Sequence, residues 1–275
     1  MLKFQKMNGA GNDFVMLDNR QNDLRLTSGQ IARLCDRHRG VGADGVLLVE
    51  PAQSGANFRM RYYNADGGEA EMCGNGARCF ARFAQKVANA GSQLNFETQA
   101  GIIQAEITGD LVTLQMSEPK DLKLNREVIL SEGSIKPGTA LTVHSLNTGV
   151  PHVVVFVDHL DKVDVANLGA ELRWHEAFAP KGTNVNFARQ LSSHVIAIRT
   201  YERGVEAETL ACGTGVVATA LIHALVTNVD GPVAVEVRGG ETLKVGFRKV
   251  GDHHFTDVTL TGPADFAFSG EIDLD

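Results

Sequence analysis

The sequence predicts a chain of the α/β class, of the α+β type, built from two similar halves. The main observation is a repeated Cys-Gly-x-Gly motif, which occupies positions 73–76 and recurs 139 positions later at 212–215. In both places an alternating, strand-like stretch comes before the motif, and a helical pattern begins directly after it. Short strand candidates joined by glycine-containing turns follow each helix. Because the order of elements is the same twice, we predict an internal duplication.

The first half has the pattern of a series of strands interrupted by two helices. Residues 27–38 have the spacing of a short helix, with Thr27 or Ser28 near its N-terminal cap. After Cys73, small and apolar residues fall at helical spacing as far as Ala88. The loop at 40–45 formally matches the dinucleotide-binding fingerprint, but a helix precedes it and a strand follows, so we interpret it as a turn. The strand candidates are residues 2–6, 14–18, 46–50, 58–63, 94–97, 102–108 and 111–116.

The second half repeats this plan after residues 117–121, which break the strand pattern and mark the predicted boundary between the halves 1–117 and 118–261. Residues 216–226 are apolar nearly all round, which predicts a helix that is buried on every side. Domain interfaces are preferred ligand sites, so we expect Cys73 and Cys212 to oppose each other across a cleft between the halves. The strand candidates are residues 195–201, 233–237, 243–248 and 255–260.

Composition excludes several classes of function. The chain has 275 residues, of which 43% are hydrophobic, and a net charge of −7 without a basic run, so neither nucleic acid nor an anionic membrane surface is an expected partner. No signal peptide and no apolar stretch of about 18 residues is evident, and we expect a cytoplasmic protein. Four cysteines in a chain of this length do not form a disulfide framework, and no zinc-type ligand set is present, so we predict no metal and no cofactor.

The two repeated cysteines are the strongest candidates for chemistry. Each lies at a helix N-terminus, where unpaired N–H groups and the helix dipole stabilise a thiolate. The glycines allow a carboxylate to approach those N–H groups. Inverting a stereocentre that bears a hydrogen needs a base on one face and an acid on the other, and two such thiols supply both. For Cys35 and Cys79 we expect only a packing role.

Other candidates depend on their neighbours along the chain. His152 follows the turn at 148–151, whose proline fixes the approach of the next strand, and the sequence leaves a packing role and an aimed functional role equally open. Glu202 and Arg203 occupy the position just before the second motif, where an ordinary surface ion pair is the alternative. Asparagine favours loops, so the asparagines Asn12, Asn64 and Asn184 either shape turns or contact a ligand.

Seven segments of the chain, taken together, resemble the diaminopimelate epimerase family, and the resemblance runs nearly from end to end. They are residues 7–14, 64–67, 73–79, 151–152, 183–187, 201–204 and 211–215. The resemblance implies epimerisation of diaminopimelate between its LL and meso forms at one α-carbon, without a cofactor, in the synthesis of lysine and peptidoglycan precursors. It also implies a homodimer of chains with two pseudo-symmetric domains, each a mixed, largely antiparallel, barrel-like sheet around a central helix. The C-terminal tail, residues 262–275, returns to the first domain in this arrangement.

The same resemblance implies roles for individual residues. Cys73 and Cys212 would be the acid/base pair, and His152 and Glu202 would modulate their protonation. The reacting carboxylate would be held by Gly74, Asn75, Gly213 and Thr214. The remainder of the substrate would be bound by Asn12, Asn64, Asn184, Glu202 and Arg203. The chain departs from the family pattern at Gly45, where Gln is common, at Val150, where Asn is common, and in a Glu202–Cys212 spacing that is one residue longer than in many members.

Three alternatives remain at this stage. A proline-type racemase also uses two thiols, but Asn184 and the Glu202-Arg203 pair suit a second amino-acid head group and argue against it. A non-catalytic amino-acid-binding regulator would not need both cysteines. A thiol redox sensor would be expected to carry a nearby resolving cysteine, and no Cys-x-x-Cys occurs.

Overall fold

The computed structural model describes residues 1–130, 138–251 and 253–274. The chain divides into two compact units. Unit 1 comprises Met1–Gln115 and Thr261–Asp275, and unit 2 comprises Met116–Leu260. No helix within the described ranges is both long and apolar enough to cross a membrane.

Strands dominate both units, and helices are few. The strands are β1 Leu2–Gly9, β2 Asn12–Asp18, β3 Gly45–Glu50, β4 Phe58–Asn64, β5 Glu69–Ala70, β6 Gln93–Thr98, β7 Gly101–Thr108, β8 Leu111–Gln115, β9 Lys120–Ile129, β10 Ala140–Asn147, β11 Pro151–Phe156, β12 Asn184–Ser192, β13 Val195–Glu202, β14 Ala207–Thr209, β15 Val233–Glu236, β16 Thr242–Val250, β17 His254–Pro263 and β18 Asp265–Ile272. The α-helices are α1 Ser28–Cys35, α2 Gly74–Ala88, α3 Val165–Trp174 and α4 Gly213–Val226. Two short 3₁₀ turns, Leu160–Lys162 and Glu176–Phe178, flank α3.

In unit 1 a mixed sheet packs against α2. Strand β1 pairs in antiparallel fashion with β18 and β2, β2 runs parallel to β3, and β3 is antiparallel to β4. Strand β4 then pairs with β5 and, in parallel, with β6, which continues into the antiparallel strands β7 and β8. Helix α2 contacts strands that precede it and strands that follow it in the chain, namely β1, β2, β3, β4, β7 and β8. Its small residues Ala77, Ala81 and Ala84 are fully buried, which lets the strands approach closely.

Unit 2 repeats the same pairing pattern. Strand β10 is antiparallel to β9 and β11, β11 runs parallel to β12, and β12 is antiparallel to β13. Strand β13 pairs with β14 and, in parallel, with β15, which is antiparallel to β16. Helix α4 contacts β10, β11, β12, β13, β15 and β16 and is buried along nearly its whole length. The duplication therefore includes the early strands and the connecting helices α1 and α3, and it is not limited to the region around each cysteine.

The sequence-based expectation of a mixed, largely antiparallel α+β fold is confirmed. Each predicted strand of the first half appears as a strand, and both helices that follow the cysteines are present. Helix α1 begins as predicted, with Thr27 as its cap in a capping box with Gln30, but it ends at Cys35 rather than His38. Asp36 adopts an extended conformation, and its carboxylate accepts hydrogen bonds from the N–H groups of His38 and Arg39. These local bonds close a turn in place of a further helical turn.

Candidate functional site

In unit 1, Cys73 is the N-terminal cap residue of α2. Its backbone is extended, with φ −136° and ψ 122°, and its side chain makes no capping hydrogen bond to the first turn. The first N–H groups of an α-helix have no partner within the helix. The thiol does not cap these groups, and the positive end of the helix dipole lies next to Cys73, a partly exposed residue, as in helix ends that bind anions.

A chain of hydrogen bonds orients the amides beside this helix end. Asn75 Nδ2 donates to Asn12 Oδ1 at 2.7 Å, and Asn12 Nδ2 donates to Asp44 Oδ2 at 2.9 Å. At the other end, the fully buried Arg78 donates through Nη2 to Asn75 Oδ1 at 2.8 Å. Both amide oxygens are therefore engaged as acceptors, which fixes the direction in which each amide nitrogen points. The structure brings Asn12 and Asn75, two predicted binding residues, into direct contact.

The acidic end of this chain is held by a cluster of charges. Arg37 bonds to both Asp13 and Asp44, at 2.8 Å and 3.0 Å, and Lys6 pairs with Asp13 at 2.8 Å. Burial by itself would raise the pKa of Asp13, but the bonds to Arg37 and Lys6 outweigh it and lower that pKa to about 2. Asp44 thus pairs with the Arg37 guanidinium through Oδ1, while its Oδ2 accepts the hydrogen bond from the Asn12 amide.

In unit 2, Cys212 caps α4 in the same way. Its φ of −120° and ψ of 107° are extended, its side chain makes no capping bond, and it is 8% exposed. Its Sγ lies 3.5 Å from the hydroxyl oxygen of Thr214, the second residue of the helix. Thr148 Oγ1 donates to the Thr214 carbonyl at 2.8 Å, which ties the helix end to the turn before His152.

His152 is completely buried and forms the next step of this network. Its Nε2 lies 2.9 Å from Thr214 Oγ1, and its Nδ1 lies 3.2 Å from Asn186 Nδ2. Burial, together with the positive charge of Arg203, lowers the pKa of His152 from 6.5 to about 3. The imidazole is therefore neutral near pH 7, and Thr214 Oγ1 connects it to the sulfur of Cys212. Of the two roles left open by the sequence, this geometry favours the aimed one.

The remaining predicted residues of unit 2 meet around the end of β13. Asn184 is buried, and its side chain joins two segments, because Nδ2 donates to the Pro151 carbonyl at 3.0 Å while Oδ1 accepts from the Arg203 N–H at 2.8 Å. Glu202 Oε2 accepts a hydrogen bond from Thr209 at 3.0 Å. Burial raises the pKa of Glu202, and the Thr209 bond opposes that rise only in part.

Asn64 is placed differently from the other candidates. It lies exposed at the end of β4, opposite Gly45 in the register of β3 and β4, and its backbone closes a turn with Gly68. At Gly45 a Cβ atom would lie 2.5 Å from the Tyr63 carbonyl oxygen and 2.7 Å from the ring of Tyr62. In this chain a side chain at position 45 would therefore clash with the backbone of β4 at Tyr63 as well as with the Tyr62 ring. Val150 lies in the turn before β11.

Cys35 and Cys79 are buried thiols, as expected from the sequence. Burial raises the pKa of Cys35 to about 11 and that of Cys79 to about 12. Both thiols are therefore protonated near neutral pH, and neither resembles the cysteines at the two helix caps.

Sequence reasoning did not single out several residues that hold the site together. Asp44 and Arg78 in unit 1, and Asn186 and Thr200 in unit 2, are in this group. Strand alternation could have pointed to Asn186, because it lies two residues after Asn184 on the same face of β12. For Asp44, no pattern in the sequence indicates that it binds Asn12, since that contact joins distant parts of the chain. Arg78 lies three residues after Asn75 in α2, so helical spacing could have pointed to that contact.

Comparison with known families bears directly on this arrangement. The family model described as diaminopimelate epimerase matches residues 4–121 and 144–266, which include both cysteine motifs and every candidate residue above. The chain belongs to the diaminopimelate epimerase family. The resemblance recognised in the sequence is therefore confirmed.

Curated diaminopimelate epimerases are similar over their whole length. The protein from Chlorobaculum tepidum is 42% identical over 272 residues, which cover 98% of this chain and 100% of that protein. The protein from Aquifex aeolicus is 41% identical over 283 residues, covering 98% of each. The family thus accounts for both units of the chain.

Solved structures support the fold. A phenazine biosynthesis protein of the PhzF family from Bacillus anthracis superimposes with a TM-score of 0.71 at 18% identity, covering 98% of each chain. A probable proline racemase from Agrobacterium radiobacter, solved with bound carbonate, also gives a TM-score of 0.71 at 16% identity, covering 100% of this chain and 94% of that one. At such low identity these structures show a shared fold and do not identify a substrate.

Proposed function

We propose that this chain interconverts LL- and meso-diaminopimelate by proton transfer at one α-carbon, with Cys73 and Cys212 as the two acid/base groups. The proposal rests on one observation within a chain of this family. Each half holds a thiol at the extended cap position of a buried helix whose first N–H groups the thiol leaves uncapped. A proline-type racemase, a binding regulator and a redox sensor are less well supported, because the full-length relatives are named diaminopimelate epimerases.

The chemistry requires each half to supply a thiol that acts as acid or base and N–H groups that bind the carboxylate. A thiolate removes the α-proton from one face, and the thiol of the other cysteine delivers its own proton to the opposite face. The electron pair left on carbon delocalises into the α-carboxylate, where N–H donors from Gly74, Asn75, Gly213 and Thr214 would stabilise the added charge. After one turnover the protonation states of the two sulfurs are exchanged, so the reverse reaction uses the same groups in opposite roles.

The flanking residues would adjust this chemistry and hold the rest of the substrate. We propose that His152 acts on Cys212 through Thr214 as a neutral group, since its pKa of about 3 excludes an imidazolium near pH 7. Arg203 would bind a distal carboxylate. Glu202, together with the amides of Asn12, Asn64 and Asn184, would bind the distal amino and carboxylate groups.

Substrate choice is tested with a panel of amino acids. Purified protein is incubated separately with LL-diaminopimelate, L-proline and L-glutamate, and the stereoisomers are separated on a chiral phase. We expect conversion of diaminopimelate alone, up to an equilibrium mixture approached from either isomer. Turnover of proline but not diaminopimelate would replace the proposal by the racemase alternative, and no turnover of any substrate would favour a binding protein.

The two-base mechanism is tested by solvent hydrogen. In D₂O, a thiol that has exchanged with solvent delivers deuterium, so early product should carry deuterium at the inverted carbon while remaining substrate stays protiated. Mass spectrometry of the separated isomers during the first few per cent of conversion gives the result. Product that retains the substrate's own protium would indicate a single base and would contradict the separate roles of Cys73 and Cys212.

Assembly and location are further proposals. We propose a homodimer, which light scattering coupled to size-exclusion chromatography would test, since a monomer mass across the working concentration range contradicts it. A cytoplasmic location is the corresponding expectation in cells, and fractionation with antibody detection tests it.

A further inference from the structure

The two units can be compared at equivalent positions beneath the cysteine-capped helices. In unit 1, the third residue of α2 is Gly76, and a Cβ atom there would lie 3.2 Å from Leu47 and 3.4 Å from Phe14. Leu47 and Phe14 belong to the paired parallel strands β3 and β2, and both are buried with at most 1% of their surface exposed. The N-terminal end of α2, which carries Cys73, therefore packs on two apolar side chains.

In unit 2 the residues at the equivalent positions, beneath the N-terminal end of α4, are polar. The third residue of α4 is Gly215, and a Cβ atom there would overlap Asn186 Oδ1 and lie 3.4 Å from His152 Cε1. Asn186 and His152 belong to the paired parallel strands β12 and β11, and neither side chain is exposed to solvent. Asn186 and His152 therefore stand where unit 1 has a leucine and a phenylalanine.

The fold does not require this exchange of apolar for polar side chains. Burying an amide and an imidazole costs free energy unless every polar atom is hydrogen-bonded, whereas unit 1 achieves the same pairing with hydrocarbon. A third polar residue, Thr200 on β13, is 2% exposed and bonds to the same amide, with Thr200 Oγ1 donating to Asn186 Oδ1 at 2.9 Å. Because these three polar side chains replace an apolar packing surface and bond to one another, we infer a role for them in the chemistry at Cys212.

The orientation of the Asn186 amide is fixed by a backbone carbonyl. Asn186 Nδ2 lies 3.0 Å from the Val153 carbonyl oxygen, which can only accept a hydrogen bond. The reversed amide would place two oxygens against each other there. Nδ2 therefore faces Val153, and its second hydrogen points to His152 Nδ1, 3.2 Å away.

The amide in turn fixes the tautomer of His152. Because Asn186 donates to Nδ1, that ring nitrogen must be the acceptor, and in a neutral imidazole the proton then lies on Nε2. Nε2–H donates to Thr214 Oγ1 at 2.9 Å. Since His152 is the donor in that bond, the hydrogen of the Thr214 hydroxyl remains available for another acceptor, and Cys212 Sγ lies 3.5 Å from Thr214 Oγ1.

We propose that Asn186 is a positioning residue that holds His152 in the Nε2–H tautomer and thereby makes the Thr214 hydroxyl a hydrogen-bond donor to Cys212 Sγ. A donor at this position stabilises the thiolate of Cys212 relative to its thiol. In unit 1 the equivalent positions are held by Leu47 and Phe14, whose side chains neither donate nor accept hydrogen bonds. The inference rests on the proposed function only for what the Cys212 thiolate does, and its tests need no substrate.

The tautomer is measured directly in the wild-type protein. With ¹⁵N-labelled histidine and through-bond correlations that assign His152, we expect the resonance of a non-protonated nitrogen at Nδ1 and that of a protonated nitrogen at Nε2 near pH 7.5. A protonated Nδ1 overturns the proposal whether or not any variant folds.

Asn186→Asp then reverses the direction of these hydrogen bonds, because a carboxylate can only accept a hydrogen bond and therefore favours a protonated Nδ1. We expect His152 in this variant to carry its proton on Nδ1, and retention of the Nε2–H form would overturn the assignment. Thr200→Val is the matched control: it removes a bond to the same amide but leaves the Val153 contact, so the wild-type tautomer should persist. A changed tautomer in Thr200→Val would show that Val153 does not fix the amide.

The consequence at sulfur is measured by the pH dependence of alkylation of Cys212, followed by peptide mapping. A hydrogen bond to a charged group contributes about 1.5–3 kcal/mol, and at 1.36 kcal/mol per pKa unit the lower value raises the alkylation midpoint by about one pH unit when the donor is lost. We expect this rise in Asn186→Asp and, without any added charge, in Thr214→Val. An unchanged midpoint in Thr214→Val overturns the donation to Cys212. An inactive wild-type protein with the expected tautomer would refute the proposed function alone, and an active one with the opposite tautomer would refute this inference alone.

Discussion

The buried neutral state of His152 predicts a dependence of protein stability on pH that can be isolated by one substitution. The pKa of His152 falls from 6.5 to about 3 in the folded chain, mainly because of burial. Below pH 6.5 the unfolded chain therefore binds a proton at this residue that the folded chain rejects. Its contribution to stability is full above pH 6.5 and is lost progressively as the pH falls towards 3.

The size of the effect follows from the difference between the two pKa values. At pH 5, which is about 1.5 units below the unfolded pKa, protonation of the unfolded state costs the folded protein about 2 kcal/mol relative to pH 7.5. The substitution that removes this term is His152→Phe, because Phe14 occupies the equivalent place in unit 1. The variant loses hydrogen bonds at every pH, so its absolute stability should fall, but its pH dependence between 5 and 7.5 should be flatter by about 2 kcal/mol.

The assay is urea unfolding of the wild type and His152→Phe at several pH values in that window. Other groups, such as His144, whose pKa burial also lowers, titrate equally in both proteins and cancel in the difference between them. Asp13, with its pKa lowered to about 2, loses its contribution only below the window. Equal pH slopes in the two proteins would refute the reasoning, since they would mean that His152 titrates normally in the folded state.

Further predictions concern the two cysteines, the contact of Gly215 with Asn186, and metal independence. Cys73→Ala and Cys212→Ala should each abolish epimerisation with an unchanged circular dichroism spectrum, because each removes a group at a helix cap, and substantial turnover by either folded variant would exclude the two-thiol mechanism. Mild oxidation should inactivate the enzyme reversibly through a Cys73–Cys212 disulfide, with protection by substrate, and peptide mapping that finds both thiols reduced in inactive enzyme would contradict this. Gly215→Ala should destabilise the protein by about 1–3 kcal/mol because the new methyl group overlaps Asn186, whereas Gly91→Ala, with open space around it, should change stability by less than about 0.5 kcal/mol in chemical denaturation. Activity should survive exhaustive dialysis against chelator, and loss that is restored by added metal would show a metal requirement.

Much of the fold follows from local patterns. The strands around each cysteine alternate, and the apolar run after Cys212 gives a helix buried on every side, as expected. The sequence patterns did not predict the helices and strands between residues 120 and 192, where the structure has β9 to β12 and α3. Strand β9 alternates only between exposed and partly buried positions over most of its length, and α3 is short, so neither carries a strong periodic signal.

The sequence by itself determined the duplication, the family and the positions of the two cysteines to which we assign the chemistry. These features are local, because a motif, a helix start and an alternating strand are properties of neighbouring residues. Only the tertiary structure decided that the side chain of Asn12 bonds to both Asn75 and Asp44, and that the side chain of Asn186 bonds to His152. These contacts join strands and helices that are 30 or more residues apart, from Asn12 to Asp44 and from His152 to Asn186. The register that sets them is fixed by the packing of a whole sheet against a helix and leaves no trace in any short stretch of sequence.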